Sequence, residues 1–165
     1  MEGTNDEVQL RALEHPNWPA VLTLNEASVR ELSPLDETRL QYILELAHAA
    51  LVVEREGEVA AFAIAIAPGA LYDSANYRWF AERYERFLYL DRIAVGAAHR
   101  RHGLGALLYD AMEEAARPFG QMVCDVNVEP RNDASLGFHA ARGYEDVGRL
   151  EHGDVKTVAL MRKQL

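Results

Sequence analysis

The sequence predicts one mixed α/β domain spanning residues 1–165. Three observations point there. Apolar runs of strand length alternate with stretches of helical spacing. From Phe87 to Val128 a strand, a helix and a second strand follow in turn, which requires a parallel pair with a right-handed crossover. Elsewhere, neighbouring apolar runs are joined by short polar turns, the mark of antiparallel hairpins. No internal repeat, linker or low-complexity tract interrupts this order, and the length suffices for one proper core.

Residues 8–13 read as a short first strand. His15-Pro16-Asn17 breaks it, and Asn17 is placed to cap a helix with Pro19 in its first turn. That helix is expected over 19–32, with apolar residues at Val21, Leu22, Leu24, Ala27 and Val29. Ser33-Pro34 is a second break, with Ser33 or Asp36 available as cap. The segment 35–48 carries a clearer stripe at Leu40, Ile43, Leu44 and Ala47, again helical spacing. A strand over 50–54, a turn at Arg55-Glu56-Gly57-Glu58 and a returning strand over 59–66 form a hairpin. The second of these, VAAFAIAI, is apolar throughout and belongs mid-sheet, covered on both faces.

Residues 67–86 are the least regular, with Pro68, Gly69 and an aromatic cluster of Tyr72, Tyr77, Trp79, Phe80 and Tyr84. A strand over 87–95 follows, then a loop, then a helix over 104–117 ended by Pro118-Phe119-Gly120. Next come a strand over 121–128, a loop, and a short helix over 134–141 that stops at Gly143. Two last strands, 144–150 and 155–162, flank a turn at Glu151-His152-Gly153-Asp154. The order is β-αα-β-β-β-α-β-α-β-β.

Composition excludes several classes. A formal net charge of −9 argues against nucleic acid or an anionic membrane surface as the main partner. No apolar run approaches the ~20 residues of a membrane helix. The first ten residues are acidic and lack a signal-peptide core, so the cytoplasm is the expected location. The single cysteine, Cys124, rules out an internal disulfide and a cysteine-based zinc site, and no metal site is expected. Cys124 reads as a core strand residue.

Against this acidic background the loop Arg100-Arg101-His102-Gly103-Leu104-Gly105 is locally basic. Glycine lets backbone N–H groups approach a ligand closely, and the helix that follows offers its unpaired N–H groups and positive dipole end. Strand, glycine loop and helix start make an anion cradle suited to phosphate or pyrophosphate. It is not a P-loop, because no Lys-Ser or Lys-Thr follows the glycines. It is not a dinucleotide fingerprint, because the third glycine is replaced by Leu108. A glycine-containing helix entry with two surface arginines is the purely structural alternative.

The arrangement Arg-x-x-Gly-x-Gly between strand and helix resembles the acyl-CoA loop of the GNAT superfamily of N-acetyltransferases. A second segment, Asn132 to Tyr144, is similar to that family's Asn-x-x-Ala/Ser-x-x-Phe-Tyr/His-x-x-x-Gly-Phe pattern, with Ser135, Phe138, His139 and Gly143 in register and Tyr144 for the usual Phe. The resemblance covers residues 87–162, about half the chain; the first half agrees in element order. It implies a mostly antiparallel mixed sheet with a central, splayed parallel strand pair, flanked by helices. It also implies direct acetyl transfer from acetyl-CoA to a primary amine of a small molecule or a protein. A catalytically silent acyl-CoA-binding module is the alternative. Homodimers are frequent in the family.

The resemblance further implies roles for individual residues. Pyrophosphate would bind the N–H groups of residues 101–106, which include His102, Leu104 and Ala106, with charge from Arg100 and Arg101. Ile93, Ala94 and Val95 match the strand whose backbone pairs with pantetheine, and an N–H near Val95 would polarise the thioester carbonyl. Asn132, Ser135 and His139 would also contact the cofactor. Asp91 would deprotonate the ammonium, and His139 stands where many members carry a tyrosine that protonates the leaving thiolate. Tyr144 and Tyr89 are lesser alternatives for that acid. Asn76, Tyr77 and Trp79 would contact the acceptor by hydrogen bonding and cation–π contact. Structural readings stand beside these: Asp91 paired with a neighbouring arginine, His139 bonded to a backbone carbonyl, Trp79 packed on the sheet.

Overall fold

The computed structural model describes residues 7–29 and 32–165. The acidic residues at 1–6, and residues 30 and 31 of the expected first helix, lie outside the described residues. The chain divides into two compact units: Met1–Ala65 with Arg92–Met112, and Ile66–Asp91 with Glu113–Leu165.

In the first unit, strand β1 (Val8–Ala12) pairs antiparallel with β2 (Ala49–Arg55), and β2 with β3 (Glu58–Ile66). The β2–β3 turn is tighter than expected. Only Glu56 and Gly57 lie between the strands, at φ 57° and 77°. Positive φ at both central residues matches the strand twist in a two-residue hairpin. Every residue from Ala60 to Ala65 is fully buried, as its unbroken apolar pattern requires.

Helix α1 (Trp18–Ala27) ends earlier than its apolar pattern suggests, at Ser28. Asn17 does not cap it. A 3₁₀ turn over His15–Asn17 leads straight into α1 and holds Asn17 at helical φ −85°, ψ −13°. A side-chain cap needs extended backbone. Asn17 Oδ1 instead accepts from the Glu14 N–H at 2.8 Å and Arg11 Nη1 at 3.0 Å. In α2 (Glu37–Leu46) the cap is Asp36, whose Oδ1 accepts from the Arg39 N–H at 2.7 Å, and Leu40 and Ile43 are fully buried.

Strand β4 (Leu88–Val95) contributes to both units. In the first, Arg92 is 3 % exposed. Its Nη1 donates to Asn25 Oδ1 at 3.1 Å and to the Ser33 carbonyl at 3.3 Å, and its Nη2 to Ser33 Oγ at 3.0 Å. Asn25, also fully buried, donates to the same carbonyl at 3.0 Å. A buried guanidinium is tolerable only when so satisfied.

In the second unit β4 pairs parallel with β5 (Gln121–Glu129), in register at Leu88–Met122 and Tyr89–Val123 alone. Both strands run on beyond those pairs. Antiparallel pairing joins β5 to β7 (Lys156–Gln164) and β7 to β6 (Glu145–His152). The sheet is therefore mixed. Helix α5 (Asp133–Ala141) is capped by Asn132, whose Oδ1 accepts from the Ser135 N–H at 3.1 Å. The irregular segment 67–86 contains a helix that the sequence reading lacks, α3 (Ala75–Ala81), capped by Ser74 at the Tyr77 N–H, 3.2 Å.

Helix α4 (Leu104–Ala116) carries Glu113 into the second unit. Glu113 is 6 % exposed. Its carboxylate accepts from Arg142 Nη2 at 2.7 Å and Nε at 3.1 Å, from Tyr144 Oη at 3.2 Å, and from Lys163. Removing one member of such a cluster strands the others in a poorly solvated place. Glu113→Ala is expected to lower unfolding stability by roughly 3 kcal/mol in urea titration. An unchanged midpoint would show that the cluster contributes nothing net.

Candidate active site

The basic loop sits at the end of β4, and its geometry follows from where glycine occurs. After β4, Gly96 donates to the Ala60 carbonyl at 2.8 Å. A Cβ on Gly96 would stand 3.2 Å from Leu24 Cδ2 and 3.3 Å from that carbonyl, so glycine permits the close approach. A 3₁₀ turn over Ala97–His99 follows. Arg100 is extended, at φ −68° and ψ 157°, and Arg101 and Gly103 then take positive φ, 66° and 73°. For arginine that conformation costs about 1 kcal/mol or more.

The Leu107 N–H bonds the Gly103 carbonyl at 3.0 Å, so the first-turn N–H groups of α4 belong to Leu104, Gly105 and Ala106. Leu104 is buried and anchors the helix, whereas Arg100, Arg101, His102 and Gly103 are exposed. A Cβ built on Gly103 or Gly105 meets no protein atom within 4 Å. Glycine in a helix costs roughly 0.5–1 kcal/mol against alanine. No protein neighbour requires it at 105. The three helix-start N–H groups and the two arginine side chains are of a kind that can hold an anion.

Pleat alternation divides the rest of β4. Arg92 and Ala94 are buried, whereas Asp91, Ile93 and Val95 are half-buried on the other face. The Tyr72 hydroxyl donates to Asp91 Oδ1 at 2.6 Å. A second carboxylate, Asp125 on β5, was not singled out by the sequence, because it stands in a strand without a motif. The Tyr89 hydroxyl donates to its Oδ2 at 2.6 Å. Burial holds the Asp125 carboxyl above the usual carboxylate range; the Tyr89 bond opposes this and the Asp91 charge adds to it. Burial, then the Asp125 charge, pushes the Tyr89 phenol well up.

Asn76 also bonds Asp125, and its Oδ1 lies 2.8 Å from His152 Nε2. Tyr77 is 2 % exposed; its hydroxyl donates to the Ala67 carbonyl at 2.7 Å, and its ring packs on Tyr72, Phe87 and Tyr89. The Trp79 indole lies against Gly148, where a Cβ would come within 2.5 Å of the ring, and Arg83 stacks over the indole at 3.8 Å. Tyr77 and Trp79 are thus engaged by packing. Cys124 is buried.

His139 is 4 % exposed. Its Nδ1 lies 2.7 Å from the Ser135 carbonyl, which only accepts, so the proton is on Nδ1. Ser135 Oγ is 3.4 Å from the same nitrogen. Burial holds the imidazole below its ordinary range. With Nδ1–H committed to the backbone carbonyl, Nε2 is the acceptor nitrogen of the neutral ring.

A family model described as the acetyltransferase (GNAT) family matches residues 9–144. This chain belongs to that family. Comparison with curated proteins finds no match. Among solved structures, Ard1 from Thermoplasma volcanium superposes with TM-score 0.77 at 15 % identity, covering 96 % of this chain and 97 % of its own. The ribosomal-protein-S18-alanine N-acetyltransferase of Escherichia coli gives 0.72 at 17 %, covering 96 % and 94 %. Arabidopsis thaliana Naa50, bound to the bisubstrate analogue CoA-Ac-MVNAL, gives 0.72 at 12 %, covering 96 % and 99 %. At such identities the likeness establishes the shared fold. Among the described residues no helix is long and apolar enough to cross a membrane, and no group of three His, Cys, Asp or Glu side chains is arranged to hold a metal ion.

The His139 environment carries a pH consequence. Its folded pKa lies below the unfolded value of about 6.5, so on acidification the unfolded chain takes up a proton that the native ring refuses. Stability from this group is full above the unfolded pKa and declines as pH falls toward the folded one, by at most ~1.4 kcal/mol per pH unit. His152, lowered by burial and then by Lys156, adds in the same sense. Urea titrations at pH 7.5 and 5.5 should show a smaller acid loss for His139→Gln than for the wild type; equal losses would refute the assignment.

Proposed function

We propose that this protein is an N-acetyltransferase that moves an acetyl group from acetyl-CoA directly to a primary amine, on a small molecule or at a protein amino group. The observation that carries the reading is the family match over residues 9–144, which includes the Arg100–Gly105 loop at the start of α4. Acetyl-CoA is the co-substrate and supplies the acyl thioester. The N–H groups of residues 101–106 bind its pyrophosphate, and Arg100 and Arg101 add charge. The backbone of Ile93, Ala94 and Val95 grips the pantetheine arm in the manner of an added strand. A backbone N–H near Val95 donates to the thioester oxygen as negative charge develops there. Asn132 and Ser135 complete the cofactor contacts.

Asp91 takes the proton of the incoming ammonium, directly or through one water. Tyr72 holds that carboxylate in place, and Asp125, kept basic by burial, is the second carboxylate able to receive the proton. His139 protonates the leaving thiolate only after its Nε2 has itself gained a proton, so it works as a relay rather than as a standing acid. Asn76, tied to Asp125, is the acceptor-side residue retained in a polar role; Tyr77 and Trp79 shape that side through packing. A cytoplasmic location and a homodimer belong to the same proposal.

The test is release of free thiol from acetyl-CoA across small amines and peptides with free N-termini. Turnover with at least one acceptor is expected, and Asp91→Asn should lower kcat by about 100-fold or more while leaving the Kd for CoA unchanged. Micromolar CoA binding without turnover on any acceptor would select the silent binding module instead. Gly105→Leu tests the cradle separately. A Cβ there meets no protein atom within 4 Å, and leucine favours helix over glycine, so thermal stability should hold or rise, while CoA affinity by calorimetry falls at least tenfold. Undiminished affinity would remove pyrophosphate from this loop.

A further inference from the structure

The residue immediately before the basic loop has a role that the motif does not cover. His99 is 5 % exposed, and both of its ring nitrogens are engaged. Nδ1 lies 3.1 Å from Arg55 Nη1, and Nε2 lies 3.1 Å from Glu58 Oε2. A guanidinium has only donors, so Nδ1 must be the acceptor and the proton resides on Nε2, where it is given to Glu58. Arg55 ends β2 and Glu58 begins β3; the ring therefore bridges the two sides of the tight Glu56-Gly57 turn. The backbone repeats the attachment. The Gly96 N–H bonds Ala60 on β3, and the His99 N–H bonds the Gly96 carbonyl at 2.9 Å. The next four residues are exposed, and Gly103 has no protein atom near its would-be Cβ.

We infer that His99 is a positioning residue for the cofactor phosphates: clamped by Arg55 and Glu58, it fixes the height and direction from which residues 100–106 present their N–H groups. The inference rests on the pyrophosphate assignment proposed above. Cradle N–H groups contribute only when preorganised, and an ångström of play in the loop is enough to lose much of their effect. The clamp acts first on the loop to which the diphosphate is assigned, and less on the acyl-pantetheine portion, which is assigned to the regular strand residues 93–95. The histidine thereby makes the β2–β3 hairpin part of the cofactor site without contacting cofactor.

The experiment compares acetyl-CoA with S-acetylpantetheine, which has the same thioester and no pyrophosphate, and measures CoA binding by calorimetry. For His99→Ala, CoA affinity should fall about tenfold, and the ratio of kcat/KM for acetyl-CoA over S-acetylpantetheine should fall by a similar factor. His99→Asn, whose Oδ1 can take the Nδ1 role toward Arg55, should recover most of both. Unchanged CoA affinity in His99→Ala overturns the inference. So does an equal loss with both thioesters, which would mark general damage to the fold. A wild-type protein that does not bind CoA at all would instead overturn the pyrophosphate reading, and this inference with it.

Discussion

A guanidinium withdrawn from water must meet acceptors, and the burial of Arg92 is the constraint on which the facing of β4 depends. Asn25 and Ser33 receive it, from the end of α1 and the segment after it. Because strand side chains alternate, fixing Arg92 inward fixes Asp91, Ile93 and Val95 on the opposite face. A slip of one residue would bury Asp91 and expose the arginine, so the hydrogen-bonded guanidinium locks a register that hydrophobicity alone would leave weaker. The β4 sequence, LYLDRIAV, is apolar enough to suit either register; one buried charge decides between them.

Much of this was legible in the sequence. Strand runs, the presence of the β2–β3 hairpin, the glycine loop and the Asn132–Tyr144 segment all carry local signals that tertiary context did not override. Helix α3 was hidden because it is short and follows Pro68 and Gly69, although Ser74 before aromatic residues at 77 and 80 was a usable sign. Asn17 misled because its capping role depends on its own φ and ψ, which the preceding 3₁₀ turn sets. Asp125 and His99 were illegible for a deeper reason. Each owes its significance to partners far off in the chain, Tyr89 and Asn76 for the first, Arg55 and Glu58 for the second, and no spacing rule encodes such pairs.

The second unit answers the desolvation of acids in two different ways. Glu113 is ringed by Arg142, Lys163 and Tyr144, so its negative charge is balanced where it lies. Asp91 and Asp125 are each met by a tyrosine hydroxyl at 2.6 Å, a short neutral donor that orients an acid without supplying a full countercharge. The first arrangement favours permanence. The second leaves the acid without a full countercharge, and at Asp125 burial holds the carboxyl above the usual carboxylate range. The two environments separate a carboxylate held by cations from two held by neutral hydroxyl donors.

The sandwich of Trp79 between Gly148 and Arg83 has a practical corollary. The chain has two tryptophans, and one falls in each unit: Trp18, tilted against His15 at 4.5 Å, and Trp79. An indole pressed onto strand backbone under a guanidinium emits differently from one beside a surface imidazole. Each unit therefore carries its own native fluorophore. Single Trp→Phe replacements would turn the protein into a pair of optical probes that report, without added label, whether the two units melt together or in sequence.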